Sequence, residues 1–431
     1  MTKNVAQLMG DLESIGRDPL RGGYSRPGFG THELTLLEWF VAEAESRGLD
    51  IERDRNGITW AWWDLPETAT GSAADSGDKP NRAHAIATGS HLDSVPGGGA
   101  FDGPLGVASA LASLDQLQEQ ERNGTLRRTR PLVIAVFPEE EGSRFGVACL
   151  GSRLITGAIS PQRALALTDR DGSSFADAAR AVGLNPEHMG ADPARLSGLD
   201  AFLELHVEQG KFLGKDPLGP AVAVASSILG HGRWRFSFAG QGNHAGTTLM
   251  ADRHDPMIAA AAFVVAVRDE VSAESGARGT VGRLEPIPGG TNVVASRVDV
   301  WLDVRHPDDV VTAGLVERLH HRATALADAE GCTVTMSEES MTGTVNFDGG
   351  LARGLLNSVE RVAPGTQLLP SGAGHDAGIL ASVIPTGMIF TRNPTGISHA
   401  PEEYVEDADA QHGVDALTLA LADLLTEELQ N

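Results

Sequence analysis

HAIATGSHLDSV (84–95), the glycine-rich turn PGGGAFD (96–102), GPLGVASALASLDQLQEQ (103–120) and PLVIAVF (131–137) follow one another along the chain. The first and last are short apolar runs with bounded ends, as buried strands are, and the third is long enough for a helix. Strand, crossover helix and strand make the βαβ unit of a parallel or mixed sheet covered by helices. Upstream, THELTLLEWFVAEAESRGL (31–49) places Leu34, Leu36, Leu37, Phe40, Val41 and Ala44 at helical spacing until Gly48 ends it. This is read as a surface helix feeding a strand. TGSAADSGDKPNR (70–82) is small and polar, and reads as a mobile loop without chemistry.

Between residues 221 and 340 the pattern changes. RWRFSF (233–238) alternates with Trp234, Phe236 and Phe238 on one face, and SRVDVWLDVR (296–305) does so with Val298, Val300, Leu302 and Val304. With DPMIAAAAFVVAVRDEV (255–271) and residues 310–331 as helices, and RGTVGRL (278–284) and CTVTMSE (332–338) as strands, the order is β-α-β-β-α-β. That is the ferredoxin-like α+β arrangement. Lying between two α/β segments, it predicts a small domain (221–340) inserted into a larger one made of residues 1–220 and 341–431.

Composition narrows the function. Asp and Glu number 58 against 34 Lys and Arg, a formal charge of −24 over 431 residues, which excludes nucleic acid or an anionic membrane as the main partner. Two cysteines, Cys149 and Cys332, exclude a disulfide framework and any cysteine-rich metal site. The N-terminus lacks a basic start with an apolar core, and no run of ~18 apolar residues spans a bilayer. A soluble, cytoplasmic protein is expected.

Chemistry concentrates at the ends of the apolar runs. His91 and Asp93 follow the first strand, and Asp102 opens the next helix, with glycines 97–99 letting the backbone fold back between them. Alone, a His near an Asp is a hydrogen-bonded pair. FPEEEGSRF (137–145) adds three consecutive carboxylates, which read as a solvated acidic turn unless one binds a cation and its neighbour works on a bound water. AFLELHVEQG (201–210) carries His206, otherwise a satisfied core histidine, and GISHAP (396–401) carries His399 in a turn. Together they lie where open α/β sheets build sites. Five imidazole and carboxylate donors suit two divalent ions bridged by one carboxylate, and hence a two-metal hydrolase.

Seven ordered motifs carry a resemblance: GSHLDSVPGGGAFDGPLGV, EEGSRF, ELHVEQG, GNHAGTTLMADRHDP, TNVVASRVDVWLDVRH, SGAGHDA and GISHAPEEY. The chain resembles the di-metal aminoacylase/carboxypeptidase-type amidohydrolases, in their hydantoinase/carbamoylase branch. The resemblance implies a di-metal peptidase-like α/β catalytic domain whose inserted domain serves as dimerisation surface and lid. It also implies two divalent ions per subunit (Mn, Zn or Co), one on His91 and His206, the other on Glu141 and His399, with Asp102 between them. Glu140 becomes the general base, and Asp93 orients the first metal histidine. Glu139 stands where the family usually has a neutral polar residue. Leu249 and Ala295 replace frequent prolines, and Ala400 a usual polar residue.

By the same resemblance His244 stabilises the oxyanion, Asn292 and Arg305 bind a substrate carboxylate, and Gln209, Gly374 and His375 line the pocket. The 13-residue gap from Asn292 to Arg305 is compatible with one shared pocket; the bland reading of Arg305 is a solvated partner of Asp303 or Asp308. The implied activity is hydrolysis of a ureido C–N bond in a small carboxylated substrate, releasing ammonia and carbon dioxide, in a homodimer. Allantoate is the favoured substrate, with N-carbamoyl-L-amino acids or β-ureidopropionate as the alternative. A peptidase on the same scaffold is disfavoured by His206 in place of a carboxylate, and a non-catalytic role by the intact ligand set.

Overall fold

The computed structural model describes residues 2–66, 80–214 and 219–426. Apart from its last three positions, the polar segment 70–82 lies outside the described residues. The chain divides into two compact units, one of Met1–Ser226 with Asn346–Asn431 and one of Ser227–Val345.

Six strands come first: β1 (Asp50–Arg53), β2 (Thr59–Trp63), β3 (Ala85–His91), β4 (Leu132–Phe137), β5 (Leu199–Val207) and β6 (Val222–Ile228). The smaller unit contributes β7 (Gly230–Ala239), β8 (Asn243–His244), β9 (Arg278–Ile287), β10 (Val293–Val294), β11 (Arg297–His306) and β12 (Thr333–Thr342). The chain then returns through β13 (Val345–Asn346), β14 (Leu368–Ser371) and β15 (Thr386–Thr391).

The large sheet has the order β1-β2-β4-β3-β5-β15-β6-β13, with β14 beside β6. β4, β3, β5 and β15 are parallel neighbours, while β2 and β6 flank them antiparallel. Every residue of β3, β4 and β15 is buried. Strands covered on both faces have no solvent side to mark by alternation, which is why they appear as continuous apolar runs. Helix Pro104–Arg122 is buried from Pro104 through Leu114, and packs on β3, β5 and helix Asp407–Thr426.

In the smaller unit β12-β7-β11-β9 form an antiparallel sheet, with helices Pro256–Ser272 and Asp309–Ala329 packed on each other and on it. Trp234, Phe236, Phe238, Val298, Val300, Leu302 and Val304 meet Phe263, Leu315 and Leu319 in one core. Burying each such side chain contributes about 1.5–3 kcal/mol. The unit's limits differ from the 221–340 expected from sequence. β6 pairs with β15 through Val222↔Thr391, Ala223↔Phe390 and Val224↔Ile389, which draws it into the large sheet, and β12 runs on to Thr342. Among the described residues no helix is long and apolar enough to cross a membrane.

Candidate active site

β3, β4, β5 and β15 point the same way and end at one edge of the large sheet. His91 closes β3, paired with Phe137 at the end of β4, and His206 lies one residue before the end of β5, paired with Phe390 of β15. Glu139, Glu140 and Glu141 follow β4, and His399 lies in the turn after β15. Backbone direction thus gathers residues from four distant segments beyond the carboxyl ends of the strands.

The two buried histidines are oriented by main chain. His91 Nδ1 lies 3.1 Å from the Asp93 carbonyl oxygen, and His206 Nδ1 lies 2.9 Å from that of Val207. A carbonyl only accepts, so Nδ1 carries a fixed proton, and Nε2 either takes a second proton or offers a lone pair. Both Nε2 atoms are buried without an aligned hydrogen-bond partner. They face Asp102 Oδ1, at 3.7 Å from His91 and 3.2 Å from His206. Burial works against charge on His91, but the carboxylates of Glu140, Asp102 and Asp93 outweigh it and hold the imidazole well above its ordinary range. A divalent cation competes with a proton for that place. Gly103, with φ +85°, makes the approach possible, since a Cβ there would lie 2.4 Å from His91 Cε1.

Asp102 turns its other oxygen elsewhere. Oδ2 accepts from Gln209 Nε2 at 2.8 Å and Ser398 Oγ at 3.1 Å, and lies 3.4 Å from His399 Nε2. His399 Nε2 is also 3.2 Å from Glu141 Oε2. Hydrogen bonding to Asp102 and Glu141 pushes the His399 imidazole up to about 11. His91, Asp102 and His206 form one set of donor atoms within 4.8 Å of one another, and Asp102, Glu141 and His399 form a second. The sets share Asp102. Orphaned Nε2 atoms and mixed N/O donors without thiolate fit divalent ions such as Zn, Mn or Co. A third set, Glu204, His206 and His375, also meets the distance, but Glu204 already accepts Ser90 Oγ at 2.8 Å and the Ala377 N–H at 3.2 Å.

The three successive glutamates do different things. Glu139 is fully buried and its Oε1 accepts the N–H groups of Arg144 and Phe145 at 3.0 and 2.7 Å, so it shapes the turn that follows. Glu140 places Oε2 3.6 Å from His91 Nε2, while its Oε1 accepts the Cys149 thiol at 3.3 Å. Burial raises the Glu140 carboxyl well above its ordinary value, against the pull of His91 and with the charges of Asp376 and Glu141 adding to it. Glu141 faces His399. Asp93 sits beneath both, accepting the Glu140 N–H on Oδ1 and the Glu141 N–H on Oδ2, each at 3.1 Å.

His375 is buried, its ring centroid 4.5 Å from that of His206 and its Nε2 3.1 Å from Ser371 Oγ. Burial, then the His206 charge, keeps it neutral by holding its pKa well below the usual range. Gly374 precedes it, with open space where a Cβ would stand. His244 is exposed on β8, paired with Val293 of β10, and the Ala245 N–H donates to the Asn292 carbonyl oxygen at 3.0 Å, so His244 and Asn292 are neighbours. Arg305 is not with them. It pairs with His231 and Arg278 at the far end of β11 from Arg297, and donates to Asp303 Oδ1 at 2.9 Å. Eight strand residues span roughly 26 Å. The shared pocket expected for Asn292 and Arg305 is therefore not formed within one smaller unit, because β11 runs away from the β8–β10 ribbon.

Sequence reading missed Glu204, Cys149, Ser398 and Glu403. Glu204 was within reach, since it lies two residues before His206 and thus on the same strand face.

Residues 87–423 match peptidase family M20/M25/M40, and the chain belongs to that family. It is 32% identical over 411 residues to an N-carbamoyl-L-amino acid amidohydrolase of Geobacillus stearothermophilus, covering 95% of each chain. It is 31% identical over 419 residues to the allantoate amidohydrolase of Escherichia coli, covering 96% of this chain and 95% of that one. A hydantoinase/carbamoylase family amidase from Burkholderia multivorans superposes with a TM-score of 0.83 at 28% identity, covering 99% and 98%. The chain is accordingly a hydrolytic enzyme of the amidohydrolase kind.

Proposed function

We propose that the enzyme hydrolyses the carbamoyl C–N bond of a small ureido carboxylate, allantoate first among them, releasing ammonia and carbon dioxide. The observation that carries this reading is the pair of three-donor sets sharing Asp102, with the Glu140 carboxylate beside His91. His91 and His206 would hold one divalent ion, Glu141 and His399 the other, with Asp102 between. When bound, such ions supply Lewis-acid polarisation and a more acidic water.

The chain's own groups do the rest. Glu140 takes the proton of the attacking water on Oε2 and returns it to the leaving nitrogen. The Cys149 thiol on Oε1 leaves Oε2 as the free basic oxygen. Asp93 fixes the Glu140 and Glu141 main chain, so base and ligand keep their spacing. His375, held neutral, and Gln209 line the site without adding positive charge.

Recognition of the substrate carboxylate is assigned to Arg305, whose planar fork suits it, and stabilisation of the oxyanion to His244 beside Asn292. Since Arg305 lies at the far end of β11 and Asn292 beside the β8–β10 ribbon that precedes it, we assign their contributions to different copies in a homodimer made through the smaller unit. Mixing the impaired His244→Ala and Arg305→Ala chains should then restore part of the activity at subsaturating substrate in hybrid dimers.

N-carbamoyl-L-amino acids share the ureido group and the carboxylate, and the Geobacillus relative supports them as the second reading. The test is ammonia release by metal-reconstituted protein, with a chelated control, from allantoate, ureidoglycolate, N-carbamoyl-L-amino acids, β-ureidopropionate and a dipeptide. Turnover of the dipeptide alone would sink the ureido assignment.

A further inference from the structure

We propose that Glu403 is a positioning residue that ties the segment carrying Asp102 to the turn carrying His399, and thereby sets the ion position formed by Asp102, Glu141 and His399. The proposal rests on the two-ion reading above.

Glu403 belongs to the acidic run PEEYVEDAD (401–409), yet its side chain is buried. Its Oε1 accepts two main-chain N–H groups, of Phe101 and Asp102, both at 3.0 Å. Its Oε2 accepts the Ser398 hydroxyl at 3.0 Å, and the same hydroxyl is 3.1 Å from Asp102 Oδ2. A hydroxyl has one proton, so Ser398 serves one of the two carboxylates at a time and keeps both close. Glu403 also closes the turn after His399, donating its own N–H to the Ala400 carbonyl oxygen at 3.1 Å.

The tie spans 301 residues of chain between Asp102 and Glu403, so it exists only in the folded molecule. Gly99 is shaped to admit it. A Cβ on Gly99 would lie 2.2 Å from Glu403 Oε1, so the glycine is there for close approach. His399 is held with φ +56°, in the left-handed region that non-glycine residues seldom occupy. Such a backbone persists where its surroundings determine it. Glu403 and Ser398 supply the hydrogen bonds on either side of that residue. Among the described residues no hydrogen bond or ion pair joins Glu403 to Glu140, and its action is through Asp102 and His399.

Outer partners of metal ligands typically change metal affinity about 10- to 100-fold when removed. The test is titration of Mn²⁺ into the full-length chain, read by calorimetry and by bound-metal analysis. Wild type, Glu403→Ala, Glu403→Gln and Gly99→Ala are compared, with melting temperature and circular dichroism as fold controls. Wild type should take up two ions. In Glu403→Ala and Gly99→Ala one of the two ions should lose about 10- to 100-fold in affinity. Glu403→Gln should keep both, because an amide oxygen still accepts both N–H groups and the amide N–H₂ can donate to Ser398 Oγ. If Glu403→Ala fails to fold, Gly99→Ala carries the test, since it adds one methyl group from the opposite segment. Two ions in wild type with unchanged affinities in folded variants would overturn the proposal alone. Fewer than two in wild type would overturn the two-ion reading, and this proposal with it.

Discussion

Replacing Asp93 by Asn removes one acceptor from beneath the catalytic glutamates while leaving the volume unchanged. In the native site each carboxylate oxygen accepts one main-chain N–H, from Glu140 and from Glu141, both at 3.1 Å, in a fully buried setting. Asn offers one oxygen and one N–H₂, so one of those N–H groups loses its acceptor and meets a donor. A bond to a charged acceptor contributes about 1.5–3 kcal/mol, and a buried donor left unpaired costs about 1–3 kcal/mol. These overlap, and together come to about 3 kcal/mol, enough to shift the main chain at Glu140. A base misplaced by about 1 Å costs roughly a hundredfold in rate. We expect kcat to fall about a hundredfold at saturating metal, with a melting temperature only a few degrees lower. Steady-state kinetics at two metal concentrations separates a lost rate from lost ions. Wild-type kcat at saturating metal would refute the claim that Asp93 holds the base in register.

Glu140→Gln should retain bound metal and lose turnover by about 10²- to 10⁴-fold; metal analysis beside kcat checks this, and near-normal turnover removes Glu140 as the base. Arg305→Ala should raise KM for a carboxylated substrate about 10- to 100-fold, the worth of a charge-assisted bond, with metal content unchanged. An unmoved KM excludes Arg305 as the carboxylate receptor. Glu33 gives a pH test. Burial, with the charge of Asp93 adding to it, pushes its carboxyl up from 4.5 to about 8. Between those values the folded chain keeps a proton that the unfolded chain releases, so stability drains away as pH rises, by at most about 1.4 kcal/mol per pH unit. Glu33→Gln should therefore gain on wild type from pH 5 to 8 in denaturant melts, and a constant difference contradicts the argument.

What could be read in advance was what strand periodicity carries. β3 and β4 are continuous apolar runs ending in His91 and in Glu139–Glu141, and a polar group at the end of such a run has few places to go but the sheet edge. In the smaller unit, Trp234, Phe236 and Phe238 alternate with Arg233 and Arg235, and that alternation alone marks the buried face. The segment 222–228 was harder, because an apolar run suits either sheet, and only pairing with β15 assigns it. Arg305 and Asn292 misled for a related reason, since 13 residues of separation do not say which way a strand leaves a ribbon. Glu403 was invisible among neighbouring carboxylates, because the groups it accepts from at Phe101 and Asp102 are remote in sequence. Glu139, the additional carboxylate, makes sense only once the Arg144 and Phe145 N–H groups are seen to need an acceptor.

The central claim is that two ion positions sharing Asp102, worked by Glu140, cleave a ureido C–N bond. Its most direct test is ammonia release from allantoate by the metal-reconstituted enzyme, with and without chelator. The account predicts turnover that vanishes with the chelator, returns on adding a divalent ion, and falls by about 10²- to 10⁴-fold in Glu140→Gln. Ammonia release that survives complete removal of metal would contradict it.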